Sequence, residues 1–422
     1  PEPPHGLWRV TVATGAEEKL TPSADYGVRG FEVSDDGLHV AFLGRSTDRY
    51  AQPFVSHDVY LFDIRRGRIE RLTQNEVGES DLSFSPDNRW FAFTAPDEFQ
   101  PGRLDRVHLR ATAGGAVQKI GGELAWDAAI DFWAPDSKSF YFTSGVGLNT
   151  QLFEVRLDRP APRRISEWSG VAALDYDEDA RRVLVRFEDL SRPHDLYLAE
   201  IGRLADPRRW VRLTELNPQV ASFALGIPEP IQWTSSDGRT VEGILFRPAG
   251  YSTTRRYPLV VQIHGGPASA WMRRFPDAWS TYAHVLAGRG YAVLQPNYRG
   301  SSNYGERWQM EIAGDYFRQA FDDIMSGVDT AIARGIAHPD SLAMMGWSAG
   351  GHWSNWALTH TDRFKAISTG AGAVNWISLY AQTDIQFTRE FYFQGMPYGR
   401  WEEYWRVSPL QFIQNAKTPT LI

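Results

Sequence analysis

A unit of roughly fifty residues recurs through the first half of the chain: a turn rich in Asp, Pro and Gly, an aromatic strand, a gap, a second strand, then a basic turn. The turn reads Ser34-Asp35-Asp36-Gly37, Ser85-Pro86-Asp87-Asn88, Ala134-Pro135-Asp136-Ser137 and, more weakly, Asp177-Glu178-Asp179-Ala180, at spacings of 51, 49 and 43 residues. Strand-like runs follow each copy at 39–42, 90–93, 140–142 and 183–185, and a second set repeats at 59–62, 107–109, 152–155 and 196–198. That period is the length of a four-stranded propeller blade, and one blade cannot bury both of its own faces, so a chain repeating it must stack small antiparallel sheets. An earlier copy of the second strand, Leu7-Trp8-Arg9-Val10, has no turn or first strand before it. The expectation is therefore four blades plus a partial one. A complete four-bladed propeller is the alternative the fold tolerates. Blade aromatics read as packing, and His39, His57, His108 and His194 as surface or strand residues rather than ligands.

The blade pattern stops by about residue 214, and prolines cluster from Pro218 to Pro230, which predicts a boundary near 222: a propeller over 1–222 and a second domain over 223–422. Trp233-Thr234, Asp237-Gly238 and the run 241–246 predict an antiparallel hairpin. Buried strands are then expected at 259–263, 291–295, 342–345 and 366–369, alternating with helices, which is the pattern of a mostly parallel sheet covered on both faces. Phe317, Phe321, Ile324, Val328 and Ile332 recur at helical spacing. Asp322, Asp323 and Asp329 of that helix are expected on its solvent face.

The chemistry is carried by Gly346-Trp347-Ser348-Ala349-Gly350, a G-x-S-x-G turn after the apolar run 342–345. A serine on so tight a turn needs neighbours without side chains, and Gly346 and Gly350 supply them. An acyl-transferring serine also needs backbone donors for the developing oxyanion, and His264-Gly265-Gly266-Pro267 follows the strand 259–263 where such a loop belongs. With these motifs, 258–267 (PLVVQIHGGP), 291–308 (YAVLQPNYRGSSNYGERW), 344–353 (MMGWSAGGHW) and 408–422 (SPLQFIQNAKTPTLI) occur in order, and the chain from about 225 onward resembles the prolyl oligopeptidase family of serine peptidases, in particular its acylaminoacyl-peptidase-like and dipeptidyl-peptidase-like branches.

The resemblance implies a β-propeller followed by an α/β-hydrolase domain, with Ser348 as nucleophile. It implies an oxyanion hole from the backbone amides of Ala349 and Gly266, beside Gly265, and a pocket lined by Trp376 and Leu379. The residue after the serine is often Tyr in the family and is Ala349 here. The family's acid and histidine follow a strand like Thr418-Pro419-Thr420-Leu421-Ile422, where this sequence stops, so 1–422 is expected to lack them, to be inactive by itself, and to hold fewer blades than the family's roughly seven or eight. His352 and His360 lie on the helix leading away from Ser348 and cannot face its hydroxyl without unwinding that helix; His264 is expected to brace the oxyanion loop. Arg299 matches the family motif and could equally pin a loop.

Composition narrows the partners. A net charge of −7 argues against nucleic acid or an anionic membrane, and no apolar run is long enough to span a bilayer. Zero cysteines exclude a thiol nucleophile, a disulfide framework and a thiolate metal site. The expected chemistry calls for no cofactor and no metal, with short peptides as substrates. A carboxylesterase on the same machinery and a non-catalytic propeller scaffold are the competing readings.

Overall fold

The computed structural model describes residues 5–21, 26–45, 57–122, 124–278 and 280–422. Two compact units are present, one of Pro1–Ser144, Leu152–Ile165 and Glu178–Arg181, the other of Gly145–Gln151, Ser166–Asp177 and Arg182–Ile422.

The repeats fold into small antiparallel sheets. A hairpin pairs Trp8–Thr11 with Ala16–Lys19. Four-stranded sheets follow, the first of Gly30–Val33, His39–Arg45, His57–Asp63 and Arg68–Arg71, the second of Ser80–Phe84, Trp90–Pro96, Asp105–Ala111 and Gln118–Ile120. The third holds Phe132–Trp133, Ser139–Val146, Asn149–Arg156 and Arg159–Arg164, and the fourth Val171–Asp177, Arg182–Glu188, Asp195–Glu200 and Val211–Arg212. The Asp-rich turns explain the period. In the first two, the Ser34 and Ser85 hydroxyls donate to Asp36 and Asp87 at 2.7 Å, and each aspartate accepts a backbone N–H two residues on. The fourth residue of the first three turns, Gly37, Asn88 and Ser137, has positive φ, which glycine and asparagine tolerate best. Cross-strand rings then fill the first three sheets: Phe42 on Tyr60 at 5.0 Å, Phe93 on His108 at 5.2 Å and Phe142 on Phe153 at 5.0 Å.

A second repeated device has no counterpart in the sequence reading. Asp58, the second residue of its strand, accepts from Arg71, from Thr73 and from the Asn75 amide; Asp195, the first of its own, likewise accepts from Arg212, from Thr214 and from the Leu216 amide. The shared signature is Arg-Leu-Thr at 71–73 and 212–214.

The second half carries one seven-stranded sheet. Its strands are β1 (Ile227–Thr234), β2 (Thr240–Arg247), β3 (Tyr257–Ile263), β4 (Ala292–Asn297), β5 (Ala337–Trp347), β6 (Phe364–Gly370) and β7 (Thr420–Leu421), in the order β1-β2-β4-β3-β5-β6-β7. β1–β2 and β2–β4 pair antiparallel and the remaining neighbours parallel. Helices α1 (Ala283–Gly288), α2 (Glu306–Met310), α3 (Arg318–Ala333) and α4 (Ala349–His360) are followed by α5 (Trp376–Gln382), α6 (Gln386–Tyr392) and α7 (Trp401–Arg406). Alternation along the strands puts helices on both faces. Val241 and Leu245 of β2 join Ile324 and Val328 of α3 and Trp353 of α4, whereas Ile244 and Phe246 join Ala283 and Ala287 of α1. No helix among the described residues is long and apolar enough to cross a membrane.

Two expectations need correction. β5 runs from Ala337, well before the apolar residues 342–345, because pairing with β3 begins at Tyr257 opposite Ala337. Asp323 is not on a solvent face: it is fully buried and chelates the buried Arg299, at 2.8 Å to Nε and 2.7 Å to Nη2. Asp323 also accepts from the Arg299 amide and the Ser235 hydroxyl, and its carbonyl accepts from Trp233 Nε1. Arg299 thus pins the loop after β4 to α3 and β1.

Candidate active site

β5 ends at Trp347 and α4 begins at Ala349, so a single residue makes the turn between them. That residue is Ser348, exposed, with φ 56° and ψ −121°, a conformation costing a non-glycine residue roughly 1–3 kcal/mol. Tight packing holds it there. A Cβ on Gly346 would lie 2.4 Å from the Gly350 backbone, and one on Gly350 would lie 2.3 Å from the Ile263 carbonyl oxygen. Only glycine at both sites lets the first turn of α4 sit on the end of β3. The Ser348 amide donates to the Gly370 carbonyl at 2.9 Å, which ties the turn to the end of β6 as well.

The same packing brings in the loop after β3. A Cβ on Gly265 would meet Ser348 Oγ at 3.9 Å and its Cβ at 3.4 Å, and Gly266, at φ +115°, occupies backbone space that side chains avoid. Ala349 is buried as the first residue of α4, where helix N–H groups have no intrahelical acceptor and the helix dipole favours negative charge. A serine oxygen therefore stands beside a glycine loop and a helix N-terminus, an arrangement suited to an attacking hydroxyl and a developing oxyanion.

His264 braces this loop. Its ring stacks on Tyr298 at 4.5 Å, with Nδ1 2.8 Å from the Gly265 carbonyl and Nε2 2.9 Å from the Ser301 hydroxyl. Burial pushes its pKa down to about 4, so it stays neutral. Asn297, at the end of β4, holds the next stretch of loop in both directions: the Trp271 amide donates to its Oδ1 at 2.7 Å, and its Nδ2 donates to the Trp271 carbonyl at 2.9 Å. Neither Asn297 nor Ser301 stood out in the sequence, because their partners lie 26 and 37 residues away.

The other histidines near the motif are engaged elsewhere. His352 Nδ1 lies 3.3 Å from the Tyr316 hydroxyl, and burial, with Arg389 nearby, holds its pKa well below the usual range. His360 Nδ1 lies 3.0 Å from the Trp356 carbonyl, and His284 Nε2 lies 2.8 Å from the Leu190 carbonyl. Among the described residues, no imidazole and no carboxylate hydrogen-bonds to Ser348 Oγ. Trp376 is fully buried against His352, Tyr316 and Phe393, and its Nε1 donates to the Val407 carbonyl at 3.0 Å; Leu379 follows on the same helix, half-buried. A cavity of about 730 Å³ opens at these strand ends, lined by Gln262, Gly265, Trp271, Met345, Trp347 and Ser368 among others. It reaches Trp347, just before the turn, and Gly265 of the loop beside it, and includes neither Trp376 nor Leu379.

The model of the prolyl oligopeptidase family matches residues 278–422. An uncharacterized peptidase of Bacillus subtilis (strain 168), YuxL, is 31% identical over 98% of this chain and 71% of its own length. Dipeptidyl-peptidase 5 of Porphyromonas gingivalis is 25% identical over 94% of this chain; the match spans 58% of that relative's length. Among solved structures, an acylaminoacyl peptidase in complex with Z-Gly-Gly-Phe-chloromethyl ketone superposes with a TM-score of 0.75 at 20% identity, covering 98% of this chain and 74% of that one, a likeness of fold. These peptidases share the propeller and α/β-hydrolase architecture, and with identity of 31% sustained across nearly its whole length, the chain belongs to the prolyl oligopeptidase family of serine peptidases.

Proposed function

We propose that Ser348 is the nucleophile of a serine peptidase that cleaves short peptides through an acyl-enzyme. One observation carries the reading: a serine with positive φ, held by close glycine contacts at the turn between β5 and α4, with the Gly265 loop beside its hydroxyl. The backbone amides of Ala349 and Gly266 serve as oxyanion donors, and losing one such donor costs roughly 3–4 kcal/mol of transition-state stabilisation. The propeller spans 1–222 as four blades and a partial one, and the hydrolase domain 223–422. The resemblance assigns Trp376 and Leu379 to the pocket for the side chain before the scissile bond, although Trp376 is fully buried and neither residue borders the cavity beside the turn. Names of relatives support a peptide substrate: dipeptidyl-peptidase 5, and a puromycin hydrolase solved with the ligand PGG.

The test uses the full-length protein. A fluorophosphonate probe should label it, and Ser348→Ala should abolish labelling; labelling that survives the substitution removes Ser348 from the role. Aminoacyl and N-acyl-aminoacyl p-nitroanilides set against p-nitrophenyl esters then separate a peptidase from an esterase, since the turn itself serves both chemistries.

A further inference from the structure

We propose that Glu188, His194 and Asp277 form a binding site for a divalent metal ion of the zinc type, tying the end of the strand Arg182–Glu188 to the loop that follows Trp271. One ligand atom from each lies within 4.8 Å of the other two. His194 Nδ1 stands 3.8 Å from Asp277 Oδ2, too far for a hydrogen bond. Zinc–nitrogen and zinc–oxygen bonds of about 2.0–2.2 Å set tetrahedral neighbours roughly 3.4 Å apart, so this pair stands slightly open for one ion. An imidazole with two carboxylates, and no thiolate, is a donor set that zinc accepts.

Glu188 is the fixed member. It is buried, its Oε1 is 3.2 Å from Arg274 Nε, and its Oε2 accepts the Phe275 amide at 3.2 Å. Each oxygen keeps a lone pair, so the carboxylate is aimed before any ion arrives. His194 and Asp277 are 33% and 44% exposed, so both side chains have room to close inward from the 4.8 Å that bounds the cluster.

The sequence alone reads His194 as a surface or strand residue rather than a ligand. The structure sets it against the loop that supplies Trp271, Ser280 and Thr281 to the cavity beside Ser348. Metal binding would stiffen that wall without taking part in acyl transfer, so the proposal stands or falls apart from the role of Ser348.

Calorimetric titration of ZnSO4 into full-length protein stripped with EDTA tests it, with MgCl2 as the control. One equivalent of zinc should bind, weakened about tenfold or more in His194→Ala and in Asp277→Asn. Zinc should raise the thermal midpoint of the parent protein and of His338→Ala, an exposed histidine elsewhere, and not that of the two ligand variants. Absence of zinc binding, or binding equal in parent and both variants, overturns the proposal and leaves His194 a partner of Asp277 only when protonated.

Discussion

In the blades, Asp58 with Arg71 and Asp195 with Arg212 repeat one contact, and their arginines remain 34% and 49% exposed. In the seven-stranded sheet, Arg299 and Asp323 form a pair at 1% and 0% exposure, with Asp237, Gln319 and Ser235 completing the set. Glycine divides the same way. Gly37 in a blade turn has positive φ and nothing within 4 Å of where a Cβ would be, whereas Gly350 has backbone atoms at 2.3 Å. The blades satisfy the same local need several times at a surface. The hydrolase sheet satisfies it once, in the interior, where a lost partner cannot be replaced by water.

The largest effect that would sharpen this contrast is at the turn. Gly350→Ala should cost roughly 4 kcal/mol or more, or prevent folding, because the obstacle is the Ile263 backbone rather than a movable side chain. Gly37→Ala should cost about 1–2 kcal/mol, the strain of its left-handed backbone alone. Urea unfolding of both variants gives the comparison, and equal losses would break it.

Arg299→Met should come next, at roughly 3–5 kcal/mol, since it leaves Asp323 charged and buried. Adding Asp323→Leu should restore most of that loss, which distinguishes an uncompensated charge from lost packing. This pair also shows where the sequence stopped being legible. Asp323 sits on a helix beside Asp322 and close to Asp329, and helical spacing alone put all three outward; its partner is 24 residues away across the sheet. The blade strands were legible because each begins at a local Ser/Asp turn, and the Ser348 turn because its glycines are adjacent in sequence. The Asp58 and Asp195 contacts were not, since their arginines follow 13 and 17 residues later on another strand.

A pH effect of intermediate size belongs to the hydrolase sheet. Burial holds His264 at about 4 in the folded protein, below the roughly 6.5 of an unfolded chain, so the unfolded state binds the extra proton first. The stability this contributes is complete above about pH 6.5 and is lost as pH falls toward 4. Between pH 7 and pH 5 the loss should be roughly 2 kcal/mol. Urea midpoints at the two pH values should converge by about that amount in His264→Gln; an unchanged difference would show that other groups carry the acid sensitivity.

The smallest expected effect is on the blade side. Arg212→Met removes a guanidinium from Asp195, but Thr214 still donates to Asp195 Oδ1 at 3.0 Å and the Leu216 amide at 2.9 Å. Burial raises the Asp195 carboxyl, and those two donors together with Arg212 outweigh it, so its pKa lies below the ordinary value. Losing Arg212 should therefore move that carboxyl back up without leaving it unpaired. Because Arg212 is half exposed, water screens what remains, and the stability change should be about 1 kcal/mol or less by urea unfolding. Arg71→Met should cost more than Arg212→Met, because Asp58 is itself 0% exposed, although it keeps the Thr73 hydroxyl and the Asn75 amide. A loss in Arg212→Met as large as that of Arg299→Met would mean that the repeated contact is as irreplaceable as the single one, and the distinction between the two regions would fail.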